Sequence, residues 1–389
     1  MKVCFITAQY PPLSRTYRRF QFARLLSEGG CDLEVVTHGN ISKALRTFTN
    51  DTNLSSQSSW PVHRANTIPW YLTGEILFRL GLVACPYANW VQSATRAASK
   101  VVGPADVVCS VYPPLSNHIA AYRTAQRTGA RLVLDFRDEY LGLSHGLRRR
   151  QASRWQARLL AAADLVSVAT QAVADSFVQQ GLPEDRIHLT ENGYWEVPEM
   201  PEYPSTEKVK IVYVGAISGA QGPEILCAAM ALLQRDDPQR AQRLEIEIFG
   251  PDNPYCRRVL QPSLVAGVSY GGYLPAGQVR DVLSAAHVGF LSLASAQYAY
   301  AVPGKLYDYI AHGRPVLASL PKGSAQALIQ RDGIGLVADC GNARELAQRL
   351  AELVDPEVCR AFHDRVIDAR PRHAAAPHFL SLAARIQAL

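Results

Sequence analysis

The chain lacks the short motifs that assign a protein at a glance. Its eight cysteines are scattered singly, with no C-x-x-C pair and no zinc-ligand spacing. Several stand in apolar runs (Cys4, Cys109, Cys227), so they read as reduced core thiols of a cytoplasmic protein. No run of about 20 clean apolar residues occurs. The most apolar long stretch, Trp70 to Trp90, is broken by Glu75, Arg79 and Pro86. That excludes a spanning helix and leaves two readings, a packed helix or a surface helix touching a membrane face. The chain runs at once into an apolar strand, Val3 to Thr7, without the layout of a signal peptide. Charge of one sign is scarce too: 40 basic against 34 acidic residues leave a net +6. That excess suits nucleotide phosphates or an anionic membrane face and is too diffuse for nucleic acid.

What is present is a long alternation of strand and helix patterns. The 389 residues suffice for two domains, each with its own core. The alternation predicts parallel sheets with helices on both faces. Expected strands are Val3–Thr7, Asp32–Thr37, Asp106–Val111, Arg131–Phe136, Leu165–Val168 and 187–190, then Val209–Val214, Leu244–Phe249, Gly267–Tyr270, His287–Leu293, Val316–Leu320 and Gly333–Ala338. Residues 40–66 are polar and without periodicity and read as a long loop. Glu196 to Pro204, with Pro198, Pro201 and Pro204, is the stiffest helix-free run and the best linker. The expected division is 1–195, a linker 196–207, 208–369, and a last helical segment 370–389.

The stretch Val302 to Leu317 carries the clearest chemical signal. Pro303 suits a first helical turn, Leu306, Tyr309 and Ile310 recur at helical spacing, and Gly313 is a left-handed stop. Lys305 opposes the helix dipole there, at about 0.3–1 kcal/mol. Either an anion occupies this N-terminus, or Lys305 pairs with Asp308 at i,i+3.

Other polar groups stand at strand ends, where doubly wound folds bind ligands. They are Tyr10 with Pro11-Pro12, His118 after Pro113-Pro114, and Arg137-Asp138-Glu139-Tyr140. Arg15, Arg18 and Arg19 crowd a helix start, facing either an anion or solvent. After Val214, glycines at 215, 219 and 222 miss the dinucleotide fingerprint, though their amides can hold a pyrophosphate. Gly142-x-Ser144-x-Gly146 has the spelling of a nucleophile elbow. It is a chance match, because the strand before it ends at Phe136 and a polar stretch intervenes.

These stretches together resemble retaining glycosyltransferases of the GT-B fold, in particular glycosyltransferase family 4. The family pattern is Glu-x7-Glu, then Ala, Gly and Pro-Val at alternate positions. Asp308 stands at the second Glu, Ala311, Gly313, Pro315 and Val316 match, and Tyr300 replaces the first Glu. Pro113-Pro114-x-Ser116-x-His118 and Asp135-Phe-Arg-Asp138 resemble one branch of the family. Asp164 and Asn192-Gly193 resemble its bracket around the last strands of the first domain. Ser14, Arg15 and Thr16 stand where a Gly-Gly pair is common, and Ala216 and Gln221 where two phosphate-binding cations are usual.

The resemblance implies two Rossmann-like α/β domains facing across a cleft, with a C-terminal helix crossing back to the first. It implies a transfer of sugar from a nucleotide-diphosphate donor to a saccharide, lipid-linked or small-molecule acceptor, in polysaccharide, glycolipid or natural-product synthesis. His118, Asp138 and Lys305 are then the catalytic candidates. Gly215, Ser218, Gly219, Gln221, Gly222, Tyr273, Leu274, Tyr300, Pro303, Gly304, Lys305, Leu306 and Asp308 would bind the donor, Tyr273 and Leu274 beside the base and Asp308 on the ribose. Tyr10, Ser14, Arg15 and Arg137 would face the acceptor. No Asp-x-Asp occurs, so no metal is expected, and no cofactor beyond the donor substrate. Localisation is expected to be cytoplasmic, with peripheral contact at an inner membrane face. The alternatives are a nucleotide-sugar epimerase using Asp135, Asp138 and Glu139 as acid and base, and an inactive GT-B binding module.

Overall fold

The computed structural model describes residues 1–13, 16–39, 58–67, 71–85, 87–138, 141, 146–196 and 202–389, with backbone alone at 71–73, 75 and 276. The chain divides into two compact units, Met1–Glu191 with Ala376–Leu389, and Asn192–Ala375.

The first unit is built on a parallel seven-stranded sheet in the order β3-β2-β1-β4-β5-β6-β7. Its strands are β1 Lys2–Ile6, β2 Asp32–His38, β3 Val62–Ala65, β4 Val107–Tyr112, β5 Arg131–Phe136, β6 Leu165–Val168 and β7 Ile187–Leu189. The central strands are apolar on both faces because helices cover both; Val3 to Ile6 and Val107 to Cys109 are wholly buried. Phe5 registers with Val35 on one side and Cys109 on the other. The chain leaves β1 in one direction and returns to β4 on the other side, which makes the β1/β4 border the switch point.

Strand β3 falls inside the stretch expected to be loop. Four residues are too few to show a period, and its pairing with β2, Val35 to Val62, is what makes it a strand. The final helix Ala375–Gln387 puts Phe379 edge-on to Phe22 at 5.1 Å. It lies so near Gly29 that a Cβ there would come within 2.6 Å of Ala383 Cβ.

The second unit has a parallel six-stranded sheet in the order β10-β9-β8-β11-β12-β13. Its strands are β8 Val209–Val214, β9 Leu244–Phe249, β10 Val268–Gly272, β11 Val288–Ser292, β12 Val316–Leu320 and β13 Gly335–Asp339. Alternation splits each strand between two cores. Ile211, Tyr213 and Phe290 pack on one face, and Val212, Leu291 and Val316 on the other. The switch point here is β8/β11.

Residues 342–369, expected as one helix, are two, Ala343–Leu353 and Pro356–Ala369. Asp355 caps the second by accepting from Glu357 N at 3.0 Å, and Pro356 cannot continue the first. Of the expected linker, residues 197–201 lie outside the described residues. Glu202 and Tyr203 are held by the fully buried Arg314, which donates to the carbonyls of His312 (2.8 Å), Ala286 (2.9 Å) and Glu202 (3.3 Å).

Candidate functional site

In the second unit, β8 ends at Val214, just before Gly215, and the chain after β11 enters the helix Gly304–Ala311. Tyr309 fixes that helix on the sheet. Its hydroxyl donates to Phe290 O at 2.8 Å, and its ring occupies the place of a side chain at Gly289, where a Cβ would lie 2.4 Å from it. Pro303 caps the helix in extended conformation, and no side chain caps its N-terminus. Pro303 therefore stands just before the first turn, one place earlier than expected.

Lys305 sits in that turn. Its Nζ lies 3.6 Å from the centroid of the Tyr213 ring. The residue is partly exposed, but Nζ itself is buried and has no hydrogen-bond partner. Burial pulls its pKa down to about 7, with Asp308 the one opposing influence. The Asp308 side is exposed, and no ion pair joins the two residues. The orphan ammonium borders the loop after β8, since a Cβ at Gly215 (φ +147°) would come within 3.1 Å of Nζ. A cation over an aromatic face gains about 0.5–2 kcal/mol, less than full desolvation of an ammonium costs. An anion delivered between this Nζ and the free N–H groups of the helix start would satisfy both.

The loop 215–222 is internally closed. Ser218 Oγ donates to Gln221 Oε1 at 2.5 Å, and the N–H groups of Gln221 and Gly222 donate to Ser218 O at 3.1 and 2.9 Å. The two side chains thus satisfy each other, while Gly219 rests on the Tyr255 ring, 3.4 Å from its Cβ position. Gly304 opens the helix and Leu306 is in the core beneath it. Tyr273 is 71% exposed, and Leu274 and Tyr300 are half-buried. A carboxylate that the sequence did not single out, Glu224, accepts from Tyr255 OH at 2.6 Å and keeps its other oxygen buried without a partner. Burial and this bond push the Tyr255 hydroxyl up to about 12. A glutamate at the start of a helix is ordinary capping composition, so no signal marked it.

In the first unit a cavity of about 270 Å³ opens at the carboxyl ends of β4 and β5 and the start of the helix Tyr17–Glu28. Arg18, Arg19, Tyr112, Asp138 and Phe379 line it. Arg19 donates to Pro113 O at 2.7 Å while its Nε is buried without a partner. Burial first and Arg18 second bring it down to about 10. Burial raises the Asp138 carboxyl above its usual range, against the pull of Arg18, Arg137 and Arg19.

Other expected site residues are placed differently. His118 is fully buried. Its Nδ1 bonds Ser110 Oγ at 2.7 Å, its ring lies edge-on to Phe136 at 4.4 Å, and desolvation lowers it to about 3. It sits between helix and sheet as a neutral ring, not at an opening. Tyr10 is also in the core, accepting from Trp60 Nε1 at 3.0 Å. Arg137 reaches the cavity wall, but its guanidinium is already engaged. It makes a bidentate pair with Asp135 and donates to Thr190 O at 2.6 Å and Ser167 Oγ at 3.3 Å. Ser14, Arg15, Glu139, Tyr140 and Ser144 lie outside the described residues. Asn117, unnoticed in the sequence, ties the two strand-end loops by accepting from Ala8 N (2.9 Å) and donating to Val111 O (2.8 Å).

Comparison with known proteins matches both halves of the chain. Residues 17–193 match the glycosyl transferase 4-like domain and residues 208–356 the domain of glycosyl transferases group 1. No curated protein matches the chain in sequence. Among solved structures, HepE from Anabaena, in complex with UDP and glucose, is 15% identical with a TM-score of 0.70 over 100% of both chains. Sucrose-phosphate synthase from Thermosynechococcus elongatus is 16% identical with a TM-score of 0.72, over 100% of this chain and 98% of the other. WaaG, a glycosyltransferase involved in lipopolysaccharide biosynthesis, is 16% identical with a TM-score of 0.67 over 99% of each. With both α/β units matched to transferase domains, the chain is a glycosyltransferase of the GT-B fold.

Proposed function

We propose that this chain is a retaining, metal-independent transferase of the family 4 kind, taking its sugar from a nucleotide-diphosphate donor. One observation carries the proposal: the buried, unpartnered Lys305 Nζ at the start of the helix Gly304–Ala311. When the bond from the sugar to the diphosphate breaks, negative charge grows on the phosphate oxygens. Charge stabilisation there matters more than a strong base. Lys305 and the helix N–H groups supply it, and Asp308, one turn on and exposed, accepts from the ribose hydroxyls. The complexes of HepE with UDP and with UDP-glucose support a donor of this class.

On the first unit, the cavity at β4 and β5 receives the acceptor. Asp138 orients the attacking hydroxyl, and Arg18 and Arg19 favour an acceptor that carries negative charge. His118, enclosed as described, acts there only by supporting the strand-end loop. Eight free cysteines suit a cytoplasmic protein. The products expected are steps in polysaccharide or glycolipid assembly.

The test incubates the protein with a panel of nucleotide sugars and acceptors and reads the anomeric configuration of the product by NMR. Transfer with retained configuration supports the proposal. An inverted product, release of an epimerised nucleotide sugar, or binding without any turnover overturns it.

A further inference from the structure

Side chains alternate along β8, so Ile211 and Tyr213 belong to one core of the second unit and Val212 to the other. The helix Gly304–Ala311 packs on the second core, through Leu306, Tyr309 and Ile310. Lys305 breaks that division. Its stem crosses the carboxyl end of the sheet at the β8/β11 border, and its Nζ ends over the ring of Tyr213, 3.6 Å from the centroid, on the side of the first core. Gly215 leaves the room for this crossing, since a Cβ there would come within 3.1 Å of Nζ and 3.2 Å of Cε.

Tyr213 is itself held on several sides. It is fully buried, the Phe290 ring lies 6.3 Å away, and its hydroxyl donates to Ala216 O. Burial first, then Tyr309 and Glu224, keep that hydroxyl in its neutral form, while Asp308 on the lysine's own helix acts on the ammonium. One side chain of β8 thus touches both parts of the donor grip, the ammonium through its face and the loop 215–222 through its hydroxyl. A lysine has a long flexible stem, and fixing it costs rotamer freedom. A ring face that already seats the ammonium removes that cost before the ligand arrives. The same face favours the charged amine over the neutral one.

We infer that Tyr213 is the positioning residue of the donor grip: its ring aims the Lys305 ammonium at the diphosphate and keeps it charged, and its hydroxyl sets the loop beside it. This rests on the reading of Lys305 under Proposed function. It has a consequence in pH. Where the lysine is already charged in the free protein, losing the ring costs the free and bound forms alike. Above about pH 7 the diphosphate must bind and recruit a proton, and the ring then favours the bound form alone.

The experiment is calorimetric titration of UDP into the full chain at pH 5.5 and pH 8.5. The variants are Tyr213→Phe and the ring-free Tyr213→Leu and Tyr213→Met, each with and without Lys305→Gln. All three lose the bond to Ala216, so their difference reports the ring. Tyr213→Phe should keep the pH dependence of the parent, with a loss of at most about fivefold at both values. Relative to it, the ring-free variants should bind about three- to thirtyfold more weakly at pH 8.5 and less than about twofold more weakly at pH 5.5. With Lys305→Gln added, all three should bind alike. A ring-free deficit that is equal at the two pH values, that is absent at pH 8.5, or that persists with Lys305→Gln would overturn the inference and leave Tyr213 a core residue. If Lys305→Gln alone bound UDP as the parent does, the reading of Lys305 would fall, and the inference with it.

Discussion

Two buried cations, one in each unit, show what separates structure from function at this level of detail. Arg137 is 7% exposed and every arm of its guanidinium is engaged, by Asp135, Thr190 and Ser167. Lys305 Nζ is as deeply buried and has only the face of Tyr213. The first is a closed network whose partners all belong to the protein. The second holds a charge out of water with no hydrogen-bond partner among the described residues, which a fold tolerates where a ligand completes the set. Arg314, with its three carbonyls, belongs with Arg137 although it stands nine residues from Lys305 in the same motif.

The largest effect expected comes from opening the closed network. Asp135→Ala leaves Arg137 buried and uncompensated and should cost about 3–5 kcal/mol of stability in urea unfolding. Removing both partners, as Asp135→Leu with Arg137→Met, should recover much of that loss. If the single and double variants were equally unstable, the charge pairing would not be what matters there.

Lys305→Met should show the reverse pattern. Transfer should fall about 10²–10³-fold in kcat, as for loss of one stabiliser of developing charge, while the fold holds. The sign of the stability change follows from the lowered pKa. Below about pH 7 native Lys305 is charged against its burial, so the variant should be the more stable there, with the difference fading as pH rises towards the ordinary lysine value. Thermal melts at pH 6 and pH 9 check this.

The smallest effect should follow Tyr10→Phe. It removes one buried hydrogen bond, to Trp60, worth about 1 kcal/mol, and should leave turnover at the parent rate because Tyr10 faces the core.

These contrasts also mark what could be read from sequence. Strand and helix order was legible because it is local. The edges of Arg131–Phe136, Val209–Val214 and Val316–Leu320 follow from apolar runs and their breakers. The Lys305 helix was legible for the same reason, through Gly313 and the spacing of Leu306, Tyr309 and Ile310. The direction of a polar side chain was not. His118 and Tyr10 follow strand ends just as a ligand-binding residue would, yet each turns inward, His118 onto Ser110 of the strand before its own helix and Tyr10 onto a partner distant in sequence. For Tyr10 the partner, Trp60, is 50 residues away. Arg314 looked like the variable residue between Gly313 and Pro315, and nothing local announces that three carbonyls converge on it. Strand β3 exists only through its pairing with β2.

Calorimetric titration of nucleoside diphosphates, UDP first, tests the role of Lys305 most directly. It should be run at pH 6.5, 7.5 and 8.5 in two buffers of different ionisation enthalpy, with the parent chain and Lys305→Gln. A lysine near pKa 7 in the free protein must take up a proton to meet a diphosphate at higher pH. Affinity should therefore fall as pH rises above about 7, approaching tenfold per unit, with proton uptake that Lys305→Gln abolishes together with most of the affinity. Binding that is independent of pH, takes up no proton and survives Lys305→Gln unchanged would contradict the account.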